Sequence, residues 1–418
     1  MVHRVATSYI LSNSLKSNSK SIVKRICRFL RNRRMTHFQP APKPKNPLGY
    51  HRLLSPSSGI KVSPLCLGAM NFGTKWNDFM GECSKEQSFE MLDAYYEMGG
   101  NFIDTANMYQ DEESETWIGE WLEKRGVRDQ MVIATKYTGG YRRHAIATEI
   151  QSNFTGNSAK SLHHSINASL KKLKTDYIDI LYVHWWDFTT PIEEVMHALN
   201  DWVVRGKVLY LGVSDVPAWI VSQANQYARD HGLRPFVLYQ GRWSASYRDM
   251  EREIIPMCRA QGMGICPWGA LSRGHLKSEA ERESRKANPE GRNHNFRPAS
   301  EADIQVSKVV EGIANSKGKS VQAIALAWLY HKTPYVFPIV GGRKVEHLRA
   351  NADALTISLS KEEMDAIDNA VPFDPGFPLN FLVSGPWKLD FTPSDIGQSQ
   401  WVSHIDSVPH PKPITPRQ

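Results

Sequence analysis

The chain has 418 residues, room for one large domain or two ordinary ones, and its 41% hydrophobic and 10% aromatic content suits a globular protein with a sizeable core. Its formal charge of +8 invites a nucleic-acid partner, yet residues 1–34 carry nine Lys and Arg and no acid, leaving 42 bases against 43 acids elsewhere. A near-neutral body offers no phosphate-tracking surface; no apolar run reaches the ~20 residues of a membrane span; five cysteines without a Cys-x-x-Cys pair suggest neither a disulfide framework nor a zinc cage.

The basic segment comes first. Ile22, Ile26 and Phe29 share one helical face, with Lys24, Arg25, Arg28 and Arg31 largely opposite. An acid-free amphipathic stretch of this kind fits a mitochondrial transit peptide. A disordered extension, or a true start at Met35, is the simpler reading and leaves the cytoplasm as the expected compartment. The proline-rich stretch 39–47 ends this extension, which therefore spans 1–47.

Residues 50–54 and 60–62 read as a small hairpin. Short apolar runs then follow at 65–67, 101–103, 132–135, 178–183, 208–213, 236–239, 264–266 and 336–339, which makes eight strand candidates. Amphipathic stretches separate them, including 86–98, 114–125, 159–173, 192–205, 217–231, 249–261 and 320–332, and 344–353 and 361–370 close the series. Eight β units each followed by an α unit predict a (β/α)₈ barrel over residues 48–372. A doubly wound sheet would normally announce itself with Gly-x-Gly-x-x-Gly after its first strand, and that fingerprint is absent. After Val371 the chain turns rich in Pro and aromatic residues, so 373–418 reads as an irregular tail draped over the barrel.

Catalytic groups in such a barrel stand at the C-terminal ends of the strands. Asp104, Tyr109, Lys136 and His184 each fall just past the end of an apolar run. Alone, each has a plainer role: a helix cap, a packed aromatic, a solvated strand end, a satisfied core histidine. Together on one rim they make a proton-handling set. A buried ammonium favours phenolate, so Lys136, held by Asp104, would lower the pKa of Tyr109 and make it a better acid. Tyr109 could then protonate a carbonyl oxygen that His184 orients. The pattern continues with Ser214, Asp215, Gln240, Trp268, Gly342 and Arg343 at later strand ends. Trp76, Tyr137, Trp185 and Trp186 would line an aromatic substrate wall, and Trp387 would cap it or anchor the tail.

Asn101-Phe-Ile-Asp-Thr-Ala-Asn-Met-Tyr109, Val132-Ile-Ala-Thr-Lys136, Tyr182-Val-His184 and Gly206-Lys-Val-Leu-Tyr-Leu-Gly-Val-Ser214 resemble the signature segments of the aldo-keto reductase superfamily. Ser214-Asp-Val-Pro-Ala-Trp219, Cys266-Pro-Trp-Gly-Ala-Leu271 and Pro338-Ile-Val-Gly-Gly-Arg-Lys-Val-Glu-His347 resemble its fungal aryl-alcohol dehydrogenase-like group, which includes norsolorinic acid reductases. The resemblance implies an NADP(H)-dependent oxidoreductase acting on an aryl, polyketide or terpenoid aldehyde or ketone, or on the matching alcohol, in secondary metabolism. It implies catalysis by Tyr109, Asp104, Lys136 and His184, with His184, Trp76 and Trp185 on the substrate and no metal. Ser214, Asp215 and Gln240 would hold the nicotinamide carboxamide, with Asp104 beside them and Trp268 stacked on the ring. Gly269, Ala270, Leu271, Ser272, Arg273, Gly274 and Lys277 would lie over the pyrophosphate. Gly342, Arg343, His347 and Asn351 would reach the adenosine end, with Arg343 on the 2′-phosphate. Many relatives have Asn in place of Asp215, where a carboxylate can accept from the amide NH₂ but cannot donate to its carbonyl, and Tyr in place of Trp268, a change that stacking tolerates. A non-catalytic NADP-binding subunit on the same scaffold is the alternative function.

Overall fold

A computed structural model describes residues 40–287 and 298–416, with 285–287 described by backbone alone. The basic segment 21–34 lies outside the described residues, and so do the readings attached to it.

Strands β1 (Arg52–Ser55) and β2 (Ser58–Val62) form the antiparallel hairpin. The remaining strands are β3 (Cys66–Gly68), β4 (Phe102–Asp104), β5 (Val132–Tyr137), β6 (Ile178–Val183), β7 (Val208–Ser214), β8 (Phe236–Arg242), β9 (Gly264–Trp268) and β10 (Ile339–Val340). They make one parallel sheet in the order β10-β3-β4-β5-β6-β7-β8-β9. Helices follow the strands because parallel neighbours need a crossover, and their cover leaves β5 and β6 buried along their whole length. This is the expected (β/α)₈ barrel with its N-terminal hairpin.

The eighth strand departs from expectation. Pro338 has no N–H to give a ladder, and the segment changes partner there. Val336 bridges Ile265 of β9, with Phe337 N–H donating to the Ile265 carbonyl at 2.8 Å, while Ile339 and Val340 pair with β3. The two halves together close the barrel.

Phe102, Ile180, Tyr182, Leu238 and Phe337 fill the barrel interior, and Leu54 and Val62 of the hairpin join the same cluster. The hairpin therefore plugs the N-terminal end. Gly264 permits this approach, because a Cβ there would come within 2.2 Å of the Leu54 carbonyl oxygen. Truncating the fully buried Leu54 to Ala should cost about 2–5 kcal/mol.

Three helical features differ from the sequence reading, among them an unpredicted helix at Glu279–Ala287. The stretch 249–261 divides into a 3₁₀ turn, Asp249–Glu251, and a helix, Ile254–Gln261. A helix at Glu301–Lys317 was not foreseen; Ser300 and Asp303 form its capping box, and Val306, Val310 and Ala314 are its buried stripe. Past Val371 the described chain has one-turn helices at Leu379–Leu382 and Gly397–Gln400, a 3₁₀ turn at Pro393–Asp395 and a bridge between Val383 and Ile396. Leu389 is buried, and its carbonyl accepts from Arg259 at 2.6 Å. No helix among the described residues is long and apolar enough to cross a membrane.

Candidate active site

Three strands bring the central cluster together. Asp104 is the last residue of β4, Lys136 the penultimate residue of β5, and Gln240 lies within β8. Lys136 Nζ donates to Asp104 Oδ1 at 2.6 Å, to the Thr105 carbonyl at 2.7 Å and to the Tyr109 hydroxyl at 3.3 Å. The second Asp104 oxygen accepts from the Gln240 amide at 2.7 Å. His184 follows β6, its backbone N–H donating to the Tyr137 carbonyl at 3.1 Å. Its ring stands edge to face with Tyr109 at 5.9 Å and against Trp185 at 4.6 Å. Trp76 closes the other side, 6.2 Å from the Tyr109 ring. Trp76, Tyr109, His184 and Trp185 thus form a continuous aromatic row. Tyr137 and Trp186, expected on that wall, are instead packed into the core. Trp387 lies between Phe373 and Phe391 within the tail.

Burial opposes the Lys136 charge, but Asp104 and Tyr109 hold the ammonium above its ordinary pKa. The same burial pushes the Asp104 carboxyl upward while Lys136 and Gln240 pull it down. With each Asp104 oxygen accepting from a donor within 2.7 Å, the ion pair is the form these contacts favour. Tyr109 corrects the sequence expectation. Burial raises its phenol above the ordinary value, Lys136 pulls it down and Asp104 pushes it up again. The ammonium acts in the expected direction and is outweighed by desolvation. Burial, helped by Lys136, holds the His184 imidazole well below its ordinary pKa, so the ring is neutral at pH 7. Its Nδ1 is buried without a hydrogen-bond partner among the described residues.

On the neighbouring strand ends, Ser214 pairs in register with Gln240. Its hydroxyl is likewise buried and unpartnered among the described residues. Asp215 has a left-handed backbone (φ 49°) and gives its N–H to the Gln240 carbonyl at 3.0 Å. Trp268 ends β9 and donates its indole N–H to Asp215 at 3.0 Å.

A model of the aldo/keto reductase family matches residues 64–372. The chain belongs to that family. It is 52% identical over 383 residues, 90% of this chain and 96% of the relative, to a norsolorinic acid reductase A of Aspergillus parasiticus. It is 54% identical over 374 residues (88% and 94%) to a norsolorinic acid reductase B of Dothistroma septosporum. An aryl-alcohol dehydrogenase [NADP(+)] of Phanerodontia chrysosporium is 54% identical over 352 residues, 82% of this chain and 91% of its own. This aldo/keto reductase is thus an oxidoreductase.

The rest of its rim was only partly foreseen. Residues Gly269–Gly274 turn sharply through positive φ at Gly269, Ser272, Arg273 and Gly274, and the Arg273 guanidinium lies 5.2 Å from the Trp268 ring centre. Ala270 is buried at the start of this turn, Leu271 packs against the core, and the Lys277 carbonyl accepts from Arg282 at 2.5 Å. Ser272 is anchored by Ser244 at 2.9 Å and by Ser246, which donates to Asp303 at 2.6 Å. Neither serine nor Asp303 was singled out from the sequence; only the capping pattern of Ser300 and Asp303 could have signalled them. After β10, Asn71 donates to the Gly342 carbonyl at 2.7 Å and Arg343 to the Glu82 carbonyl at 3.1 Å. His347 and Asn351 lie on the helix Val345–Ala352. Burial and then the Lys344 charge hold His347 below its ordinary pKa, with a further push from Lys277.

Immediately after Tyr109, Gln110, Asp111 and Glu112 are all left-handed, with φ of 52°, 48° and 82°. None is glycine, so each carries a cost of about 1–2 kcal/mol. Nothing in their sequence signals it.

Proposed function

We propose that this protein is an NADPH-dependent carbonyl reductase of secondary metabolism, reducing an aryl, polyketide or terpenoid aldehyde or ketone or oxidising the matching alcohol. The observation that carries the reading is the buried Lys136 ammonium, which donates at once to Asp104 and to the Tyr109 hydroxyl. The names of the relatives support the substrate class and, for the aryl-alcohol dehydrogenase, the cofactor.

The residues fit the cofactor. The Ser214 hydroxyl beside Gln240, buried and unpartnered among the described residues, suits a carboxamide, and the half-buried Arg343 suits a phosphate at the far end. The stretch Gly269–Lys277 would lie over the pyrophosphate, with Gly342, His347 and Asn351 toward the adenosine. A bound reduced nicotinamide would supply the hydride.

In this reading Tyr109 gives its proton to the carbonyl oxygen, a contribution of roughly 100- to 10,000-fold in rate. Lys136 stabilises the phenolate left behind, and Asp104 keeps the ammonium in place. Neutral His184 donates a hydrogen bond to the same oxygen. Trp76 and Trp185 flank an aromatic substrate. A cytoplasmic location belongs to the proposal; imaging the full chain tagged at its C-terminus tests it.

Mixing the protein with NADPH and a panel of aromatic aldehydes, and following absorbance of the reduced cofactor, tests the activity. Turnover is expected, and Tyr109→Phe should lose at least ~100-fold in kcat while binding NADPH as before. Bound NADPH with no oxidation across the panel would instead support a non-catalytic NADP-binding subunit.

A further inference from the structure

Trp76 is held at both ends of its residue. Its backbone N–H donates to Gln110 Oε1 at 2.7 Å, and its indole N–H donates to Asp111 Oδ1 at 3.1 Å. Both acceptors come from the left-handed run that follows Tyr109. That run is itself clamped. Gln110 is fully buried and donates its amide to the Met70 carbonyl at 3.2 Å. Gly73 lies against its side chain so closely that a Cβ would come within 2.3 Å of the Gln110 Cβ. Glu112 is tied to Lys172 at 2.8 Å, and its carbonyl accepts from Thr116 at 2.9 Å.

Such a turn persists only where its surroundings over-determine it. Here it directs two consecutive side chains back onto the loop that carries Trp76. The result is an indole ring fixed edge to face against Tyr109, the proposed proton donor. A tryptophan held by its backbone alone could change rotamer; the bond from its ring to Asp111 removes that freedom.

We propose that Asp111 is a specificity-determining positioning residue: through the Trp76 indole it sets one wall of the slot that receives a planar aromatic carbonyl compound. The Asp111 carboxylate bonds to the Trp76 indole, while the Tyr109 hydroxyl bonds to Lys136, so the effect of Asp111 belongs to substrate fit and not to proton transfer. The proposal rests on the carbonyl reductase reading above.

Steady-state kinetics of the full chain with NADPH, on a substituted benzaldehyde and on propanal, test it. Asp111→Ala is expected to raise KM for the benzaldehyde roughly tenfold, while kcat and the propanal KM stay within about twofold. Asp111→Asn keeps an acceptor for the indole and should restore the wild-type KM. Trp76→Phe keeps a ring without the N–H and should raise the benzaldehyde KM as Asp111→Ala does, and the double variant should raise it no further than either single one. Equal losses on both substrates, failure of Asn to rescue, or additive effects of the two substitutions would overturn the proposal and leave the reductase reading intact. A wild-type protein that turns over no aromatic carbonyl would overturn both.

Discussion

Trp268 donates its indole N–H to both carboxylate oxygens of Asp215, at 3.0 and 3.2 Å. The Asp215 residue keeps solvent-exposed surface, yet desolvation by the protein packed around its carboxyl pushes it up to about 6, against the pull of Trp268, Lys136 and Arg273. Above that pH it can only accept hydrogen bonds; below it, the protonated acid can also donate. A carboxamide presents one donor and one acceptor, so a neutral partner suits it better. Asp215→Asn supplies both at every pH, and the two lone pairs of its one oxygen can accept from the carboxamide and the indole together. We expect it to tighten NADPH about 2- to 10-fold at pH 8, the worth of one net hydrogen bond, and much less at pH 5. Fluorescence titrations at the two pH values decide this; an unchanged ratio would show that Asp215 does not face the carboxamide.

The Tyr109 phenol, raised by burial, should stay protonated beyond the ordinary value of about 10. The reductive kcat should then run flat through neutral pH and fall only on the far alkaline side. The oxidative direction needs the phenolate and should climb with pH over the same range. Lys136→Met removes the downward pull and should move both limbs to still higher pH. A reductive limb near neutrality in the wild type would contradict the environment described for Tyr109.

Lys136 is fully buried and Asp104 nearly so. Removing one partner of such a pair strands the other charge, at about 3–5 kcal/mol. Lys136→Met should therefore lower the stability in urea by that order, and Asp104→Asn combined with Lys136→Met should recover part of the loss. Strictly additive losses would mean that the two groups are not coupled in the folded state.

Arg343 is half-buried, and its guanidinium donates to the Glu82 carbonyl. Arg343→Ala is expected to weaken NADPH by about one to two orders of magnitude, the equivalent of one charge-assisted contact, and NADH much less. Titrating both cofactors distinguishes the outcomes. Equal weakening would move the phosphate contact to Arg273 or Lys277.

Most of the barrel was legible because most of its strands, β3 to β6 throughout, are buried on both faces and so read as unbroken apolar runs. The ends were harder. Asp104, Lys136, Ser214, Gln240 and Trp268 break those runs, so their strands read as stopping early, although their backbones remain strand. The helix Glu301–Lys317 escaped because its buried stripe of Val306, Val310 and Ala314 is diluted by exposed charges. Asp104, Tyr109, Lys136 and His184 were read from the sequence together with the Lys136 contacts to Asp104 and Tyr109, but the bonds from Gln240 to Asp104 and from Trp268 to Asp215 were not. Asp215 and Trp268 lie 53 residues apart, and nothing local announces that each occupies the other. The left-handed Gln110–Glu112 run was illegible for another reason: glycine is the usual sign of that conformation, and here tertiary contacts impose it on three other residues.

Asp104 and Lys136 belong to strands hydrogen-bonded to neighbours on both sides, whereas Trp76 hangs on a loop pinned by a few side-chain bonds. Regions of that kind open at different free energies. Gentle warming should therefore blunt this enzyme before silencing it. On the proposed function, discrimination among carbonyl compounds would fade first, while Tyr109 and its ammonium neighbour continued to work on whatever small aldehyde drifted in.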